Sequence, residues 1–293
     1  MIKLTRGERI FAIFNYVILG MVTFTFVYPF LLVIGTSLAT EMELIARKTS
    51  YVIIPRKPTL AAYEAVATST GIYRAYAITI FRVIVGTGLN LFFTSLLAYG
   101  LSKRNLRGRI PLTFYVFITM IFSGGLIPHF LLVSSLGLRN TVWVLVIPNL
   151  IFPFYMFLLR NFFQKIPDSL SESAFMDGAS PLTVLLKIII PLSVPALITI
   201  GMFYGVFHWN AWFDAHIYIN DHKKYPLQII LRDVLTMGMA QDLMQETMDI
   251  QERPPTTGLQ AAVIIWTTIP ILMVYPWLQR YFVKGLHMGA IKG

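Results

Sequence analysis

The polar side chains of this chain that could do chemistry fall in two short clusters and at one isolated position. The first cluster runs Pro167-Asp168-Ser169-Leu170-Ser171-Glu172-Ser173-Ala174-Phe175-Met176-Asp177-Gly178-Ala179-Ser180-Pro181. Its carboxylates are hydrogen-bond acceptors, and its small residues let the surface of another protein approach the backbone. The second cluster, His208-Trp209-Asn210-Ala211-Trp212-Phe213-Asp214, sets aromatic faces beside an amide and a carboxylate. That combination can hold a sugar by stacking and hydrogen bonding, with Trp209, Asn210, Trp212 and Asp214 as the contacts. Tryptophans also gather at membrane–water interfaces whatever the function. The isolated position is Arg82, within an apolar run, where a charge is expected to face a partner or a water-filled cavity. Two readings follow for it: a cavity residue suited to a carboxylated sugar, or one half of an ion pair with a carboxylate on another helix.

Catalysis has little to work with. The five histidines (129, 208, 216, 222 and 287) have no convergent metal-ligand spacing, although 208 and 216 could share a helical side. There is no cysteine, so thiolate chemistry, disulfides and cysteine metal sites are excluded. No Gly-x-x-x-x-Gly-Lys-Ser/Thr phosphate loop occurs either. No catalytic residue, no metal site and no bound cofactor are expected of this chain.

The elements that must position these clusters are membrane spans. The 293 residues are 56% hydrophobic and only 13% charged, whereas soluble domains carry about 25% charged residues. Six apolar segments approach or exceed the roughly 20 residues a helix needs to cross a bilayer: Ile10–Leu38, Ala75–Leu101, Ile110–Val133, Thr141–Leu159, Ile188–Phe207 and Gly258–Leu278. The first is far longer than the apolar core of a secretory signal and is expected to remain a span. An all-α membrane protein with one domain over residues 1–293 is the expected architecture.

The net charge of +10 reads as topology, not as nucleic-acid binding. One alternate set of connecting segments holds thirteen basic residues against four acids, and the other holds ten of each. The segment around Lys103, Arg104, Arg107 and Arg109, with no acid, carries most of the asymmetry. Positive residues in short loops stay in the cytoplasm, which assigns both termini and the 160–187 loop to that side. Residues 39–74 and 208–257 then lie outside, and Leu227–Leu235 within the latter has the periodicity of a short helix.

Within the 160–187 loop, Ser169-x-x-Glu172 fits a reciprocal capping box, and Asp168 adds a charge that a helix N-terminus favours. The helix would present Leu170, Ala174 and Phe175 along one side and break at Gly178 and Ser180-Pro181. A second short helix can start at Pro181, since proline suits a first turn.

With Ile188, Pro191 and Pro195 following it, the Glu172-x-Ala174-x-x-Asp177-Gly178-Ala179 spacing resembles the Glu-Ala-Ala loop of ABC importer permeases. Ser173 stands where that pattern usually has Ala, and Leu185 where it often has Phe. The resemblance runs nearly end to end. Gly124-Gly125-Leu126-Ile127-Pro128, Leu136-Gly137-Leu138-Arg139-Asn140-Thr141, Arg160-Asn161-Phe162-Phe163 and Tyr281-Phe282-Val283-Lys284-Gly285 are similar to the carbohydrate branch. Within that branch they are closest to the oligosaccharide and polysaccharide-fragment subgroup that includes alginate importers. It implies a type I importer permease fold of six transmembrane helices with cytoplasmic coupling helices. It also implies an inner-membrane heterodimer with a second permease, two ATPase subunits that hold ATP and Mg, and an extracytoplasmic binding protein that delivers an oligosaccharide. Glu172, Ala174, Asp177, Gly178, Ala179 and Pro191 are then the residues expected to couple to the ATPase. The 208–257 loop would reach the binding protein through residues 236–252.

Two other classes compete. A membrane-embedded enzyme would need a nucleophile, base or metal constellation at the membrane face. An ion-coupled secondary transporter would need acidic or proton-relay residues within its spans, where Arg82 stands nearly alone.

Overall fold

The computed structural model describes residues 5–49, 51–237 and 256–290, and among them there is helix and no strand. The chain divides into two compact units, Met1–Ile72 with Leu231–Pro270, and Tyr73–Ile230 with Ile271–Gly293.

In the first unit, α1 (Arg6–Ser37) is capped by Thr5, whose hydroxyl accepts from the Glu8 amide while Glu8 accepts from the Thr5 amide at 2.6 Å. That reciprocal box satisfies two of the orphan donors at a helix start. The apolar length of α1 is unburied among the described residues, as expected of a span whose surroundings are lipid or other subunits. At its C-terminal end Gly35 meets the next segment so closely that a Cβ would lie 2.2 Å from the carbonyl oxygens of Val52 and Ile53. Only glycine fits there. The following α2 (Glu41–Arg47) points Glu43 at the amide of Arg56, 2.8 Å away, and pairs it with Arg47. The Arg56 amide, with smaller help from the Lys57 amide and from Arg47, holds the Glu43 carboxyl below the usual carboxylate range. Helix α3 (Ala61–Thr68) follows.

The second unit holds the polar clusters. Helix α4 (Thr70–Phe81) continues through a π-helical turn, Arg82–Gly86, into α5 (Thr87–Ser102), a nearly unbroken span. Then come α6 (Arg109–Ile121) and α7 (Leu126–Ser135), bent by 116°. Two 3-10 turns (Val142–Leu145, Ile147–Asn149) lead into α8 (Pro153–Phe163) at 52°. After α9 (Asp168–Met176) and α10 (Pro181–Val184), a π-helical turn (Leu185–Ile189) and α11 (Ile190–Leu192) lead to α12 (Val194–Asn210), bent by 87°. Helices α13 (Phe213–Tyr218), α14 (Leu227–Met237) and α15 (Thr256–Ala290) complete the order.

Among the described residues there are up to six spans when each bent pair counts as one, and the Leu227–Leu235 helix is present within α14. Three of the six expected segments are broken, however. Ile110–Val133 is split where Gly125 adopts φ +89°, a conformation that side chains with a Cβ avoid. Thr141–Leu159 is only partly α-helical, because Pro148 and Pro153 lack the amide a continuous helix requires. Ile188–Phe207 becomes straight only from Val194, since Pro191 and Pro195 flank a non-helical Ser193. The core of this unit gathers Ala98, Tyr99, Met156, Leu159, Ile189 and Tyr204 from α5, α8, the second π turn and α12. Gly201 lets α12 approach α5, as a Cβ there would lie 3.1 Å from Leu91.

Candidate functional site

The loop between α8 and α12 forms a two-helix elbow. The expected Ser169/Glu172 capping box is absent from it. Pro167, with its fixed φ, starts the first turn two residues earlier than expected, and its carbonyl accepts from Leu170. Ser169 therefore sits inside α9, where its carbonyl accepts from the Ser173 hydroxyl at 2.9 Å. Asp168 leads the first turn, where its charge favours the positive end of the helix.

The C-terminus of α9 explains much of the spacing in this stretch. Gly178 turns left-handed at φ +82°. Its amide donates to Phe175 at 3.0 Å, and the Ala179 amide donates to Ala174 at 2.9 Å. This is the two-bond Schellman closure, and the residues at its two ends, Ala174 and Ala179, both pack on the core. Ser180 then caps α10 by accepting from the Thr183 amide at 3.2 Å, with Pro181 in the first turn.

Lys103 fastens the elbow to the loop after α5. Its ammonium donates to the buried Ser171 hydroxyl at 3.0 Å and lies 5.0 Å from the centre of the Tyr99 ring. Glu172, Asp177 and Gly178 are exposed, and Met176 is 88% exposed. Neither carboxylate has an ion-pair partner among the described residues. Pro191 is exposed but lies on α11, past the π turn. The elbow thus offers two free carboxylates and an apolar tip on a rigidly closed turn.

The second constellation crosses the core. Arg82, Asn90 and His208 are fully buried. Arg82 is bidentate to Asp214 through both terminal nitrogens, and one of these also donates to the Ala211 carbonyl at 3.0 Å. Its Nε donates to His208 Nδ1 at 3.3 Å. Since Nδ1 accepts, the imidazole proton sits on Nε2, which donates to Asn90 Oδ1 at 2.7 Å. The Asn90 amide then donates to the carbonyls of Asn149 and Leu150 at 2.6 and 2.9 Å. Every donor nitrogen of these three side chains finds an acceptor, as buried polar groups require. The network joins the α4–α5 span, the end of α12, α13 and the break before α8. Gly86 closes the π turn against His208, where a Cβ would lie 2.5 Å from Nε2.

Of the two readings for Arg82, the ion pair is the one formed, and its partner is Asp214, a residue expected to touch the sugar; Arg82 itself presents no surface. Trp209 and Trp212 are half-buried, and Asn210 is exposed with its amide on the Val206 carbonyl. The helix ends at Ala211, so His208 and His216 lie on separate helices and share no side. Sequence reasoning missed Asn90, although an amide in an apolar run was a signal that it meets a partner. No group able to hold a metal ion occurs among the described residues.

Residues 90–288 match the family described as the binding-protein-dependent transport system inner membrane component. The chain belongs to that family. It is a permease, a membrane-spanning transport subunit and not itself an ATPase. It is 42% identical over 288 residues to the polygalacturonan/rhamnogalacturonan transport system permease protein YtcP of Bacillus subtilis, covering 98% of this chain and 99% of that protein. Protein LplC of the same organism is 43% identical over 291 residues, covering 99% and 97%. The permease also superposes, at TM-score 0.87 and 32% identity over 96% of this chain and 100% of the other, on a chain of a bacterial ABC transporter involved in the import of the acidic polysaccharide alginate. The type I importer fold expected from the sequence is therefore present.

Proposed function

We propose that the permease forms, with a second permease, the path by which an acidic oligosaccharide enters the cell, driven by ATP hydrolysis on two partner subunits. The observation that carries the coupling half is the elbow. Its turn is closed by the α9 C-terminal bonds and fastened by Lys103, so force on its exposed face reaches α5 and α12 instead of dissipating in a loop. Glu172, Asp177 and the exposed tip dock in the ATPase, while Ala174, Gly178 and Ala179 set the turn that aims them. Pro191 marks where the elbow joins the broken span. ATP and Mg belong to the ATPase subunits.

In this reading both termini and residues 160–187 face the cytoplasm, the whole chain is one permease domain, and 208–257 faces outward toward a solute-binding protein. Residues 238–255, which include most of the expected docking stretch, lie outside the described residues. Trp209, Asn210 and Trp212 serve the sugar by stacking and hydrogen bonding, with the Arg82–Asp214 pair holding their backbone in place. The acidic class rests on the polygalacturonan/rhamnogalacturonan permease and the alginate importer among the permease's relatives.

Proteoliposomes holding the permease with its sister permease, ATPase and binding protein test the proposal. Uptake of oligogalacturonides that requires internal ATP, exceeds uptake of neutral oligosaccharides and ignores ion gradients is the expected result. Uptake driven by a proton or sodium gradient without ATP would favour the secondary-transporter reading.

A further inference from the structure

A cleft of about 420 Å³ opens between α6 and α8, away from the elbow's exposed face and from the buried network. At one end stand Arg109 and Arg160, and along it lie Thr113, Phe114, Phe117 and Phe157. The two guanidinium groups are adjacent, because both Nε atoms donate to the same carbonyl, that of Leu101, at 3.2 and 3.0 Å. Two like charges held together disfavour each other's charged form, and an anion close by offsets that. Among the described residues neither arginine has a carboxylate within ion-pair distance. Thr113, one turn along α6 from Arg109, has a hydroxyl that is buried without a hydrogen-bond partner.

The cleft is also graded along its length. Residues 109, 113 and 117 recur every four positions on α6 and so share one stripe about 12 Å long. Charge sits at the end nearest the basic loop, a hydroxyl in the middle, and aromatic rings toward the interior of the span. Phe114 is 60% and Phe117 42% exposed, so the aromatic wall opens to the surroundings of the helix.

We propose that this cleft binds one anionic phospholipid of the cytoplasmic leaflet, its phosphate between Arg109 and Arg160 and an acyl chain along Phe114, Phe117 and Phe157. A soluble anion satisfies the arginines but leaves the aromatic wall bare. A zwitterionic lipid fills the wall but brings its own cation beside two guanidiniums. An anionic amphiphile matches both ends, and basic pockets between spans on the cytoplasmic side suit such head groups. The site does not depend on the sugar carried, so its test can fail while the proposed function stands.

The test is native mass spectrometry of the assembled importer, delipidated and then titrated with phosphatidylglycerol or phosphatidylcholine of equal chain length. The permease is expected to retain one phosphatidylglycerol about tenfold more strongly than phosphatidylcholine, in keeping with two basic residues at a membrane surface. The paired substitution Arg109→Gln with Arg160→Gln is expected to bring that ratio below about twofold, while Arg107→Gln leaves it unchanged. Equal retention of the two lipids by the unaltered importer overturns the proposal, and so does absence of any retained lipid, as when the sister permease fills the cleft. Full displacement of the lipid by millimolar inorganic phosphate would reveal a bare phosphate site and likewise overturn it. If the double variant fails to assemble, the ratio in the unaltered importer decides alone.

Discussion

Arg82 and Asp214 are 132 positions apart in sequence and joined by two hydrogen bonds in space, so the value of each depends on the other. Removing one partner of a buried pair leaves an uncompensated charge and costs about 3–5 kcal/mol, whereas replacing both by apolar residues can be nearly neutral. Asp214→Ala should therefore lower the unfolding temperature of the detergent-solubilised importer sharply. Combining Asp214→Leu with Arg82→Met should recover most of the loss. Equal damage from the single and double variants would show that the pair is not the unit. The sequence made half of this legible, because a lone arginine in an apolar run demanded either a cavity or a carboxylate. It could not say which. Asp214 lies beside two tryptophans and a carboxamide, a composition that reads equally well as a sugar site. Nothing local tells that its charge is taken by a residue 132 positions away. Asn90 escaped notice, and the partners of His208 went unread, for the same reason, since their roles exist only once three helices have met.

At the scale of elements, proline and glycine were the readable signals. Gly178 and Pro181 placed the break and the second helix of the elbow correctly, because left-handed φ and a missing amide are properties of single residues. The Ser169/Glu172 box was not formed, because its spacing is one signal and Pro167 two residues earlier is a stronger one. Ser180 is the hydroxyl that caps. Ser180→Ala should thus cost about 1 kcal/mol and speed hydrogen exchange at the Thr183 amide, while Ser169→Ala leaves exchange across α9 nearly unchanged. The opposite ranking would restore the expected box. The same logic applies to the spans. Apolar length alone located six of them, but bends of 52°, 87° and 116° depend on how freed carbonyls and amides find partners in neighbouring helices, which a linear pattern does not encode. The π turns at Arg82–Gly86 and Leu185–Ile189 belong to this class. Each inserts a residue where a span meets the buried network or the elbow.

For the molecule as a whole, composition and charge distribution already pointed to a membrane protein and away from a soluble or nucleic-acid-binding one, and family membership follows from residues 90–288. What a single chain leaves open is the surface it offers to others. The apolar length of α1 is unburied among the described residues, and the exposed carboxylates of the elbow have no partner among them. Both are features of a subunit completed by its neighbours. The central proposal is that the elbow is a cytoplasmic handle for the ATPase, and the absence of native cysteine makes that directly measurable. Met176→Cys places one thiol at the exposed tip of α9. In the assembled importer it should react with a membrane-impermeant maleimide only from the cytoplasmic face, and cross-link to the ATPase subunit with a yield that changes on adding ATP. Labelling from the outer face, or no cross-link to the ATPase in an importer that still transports, would contradict it.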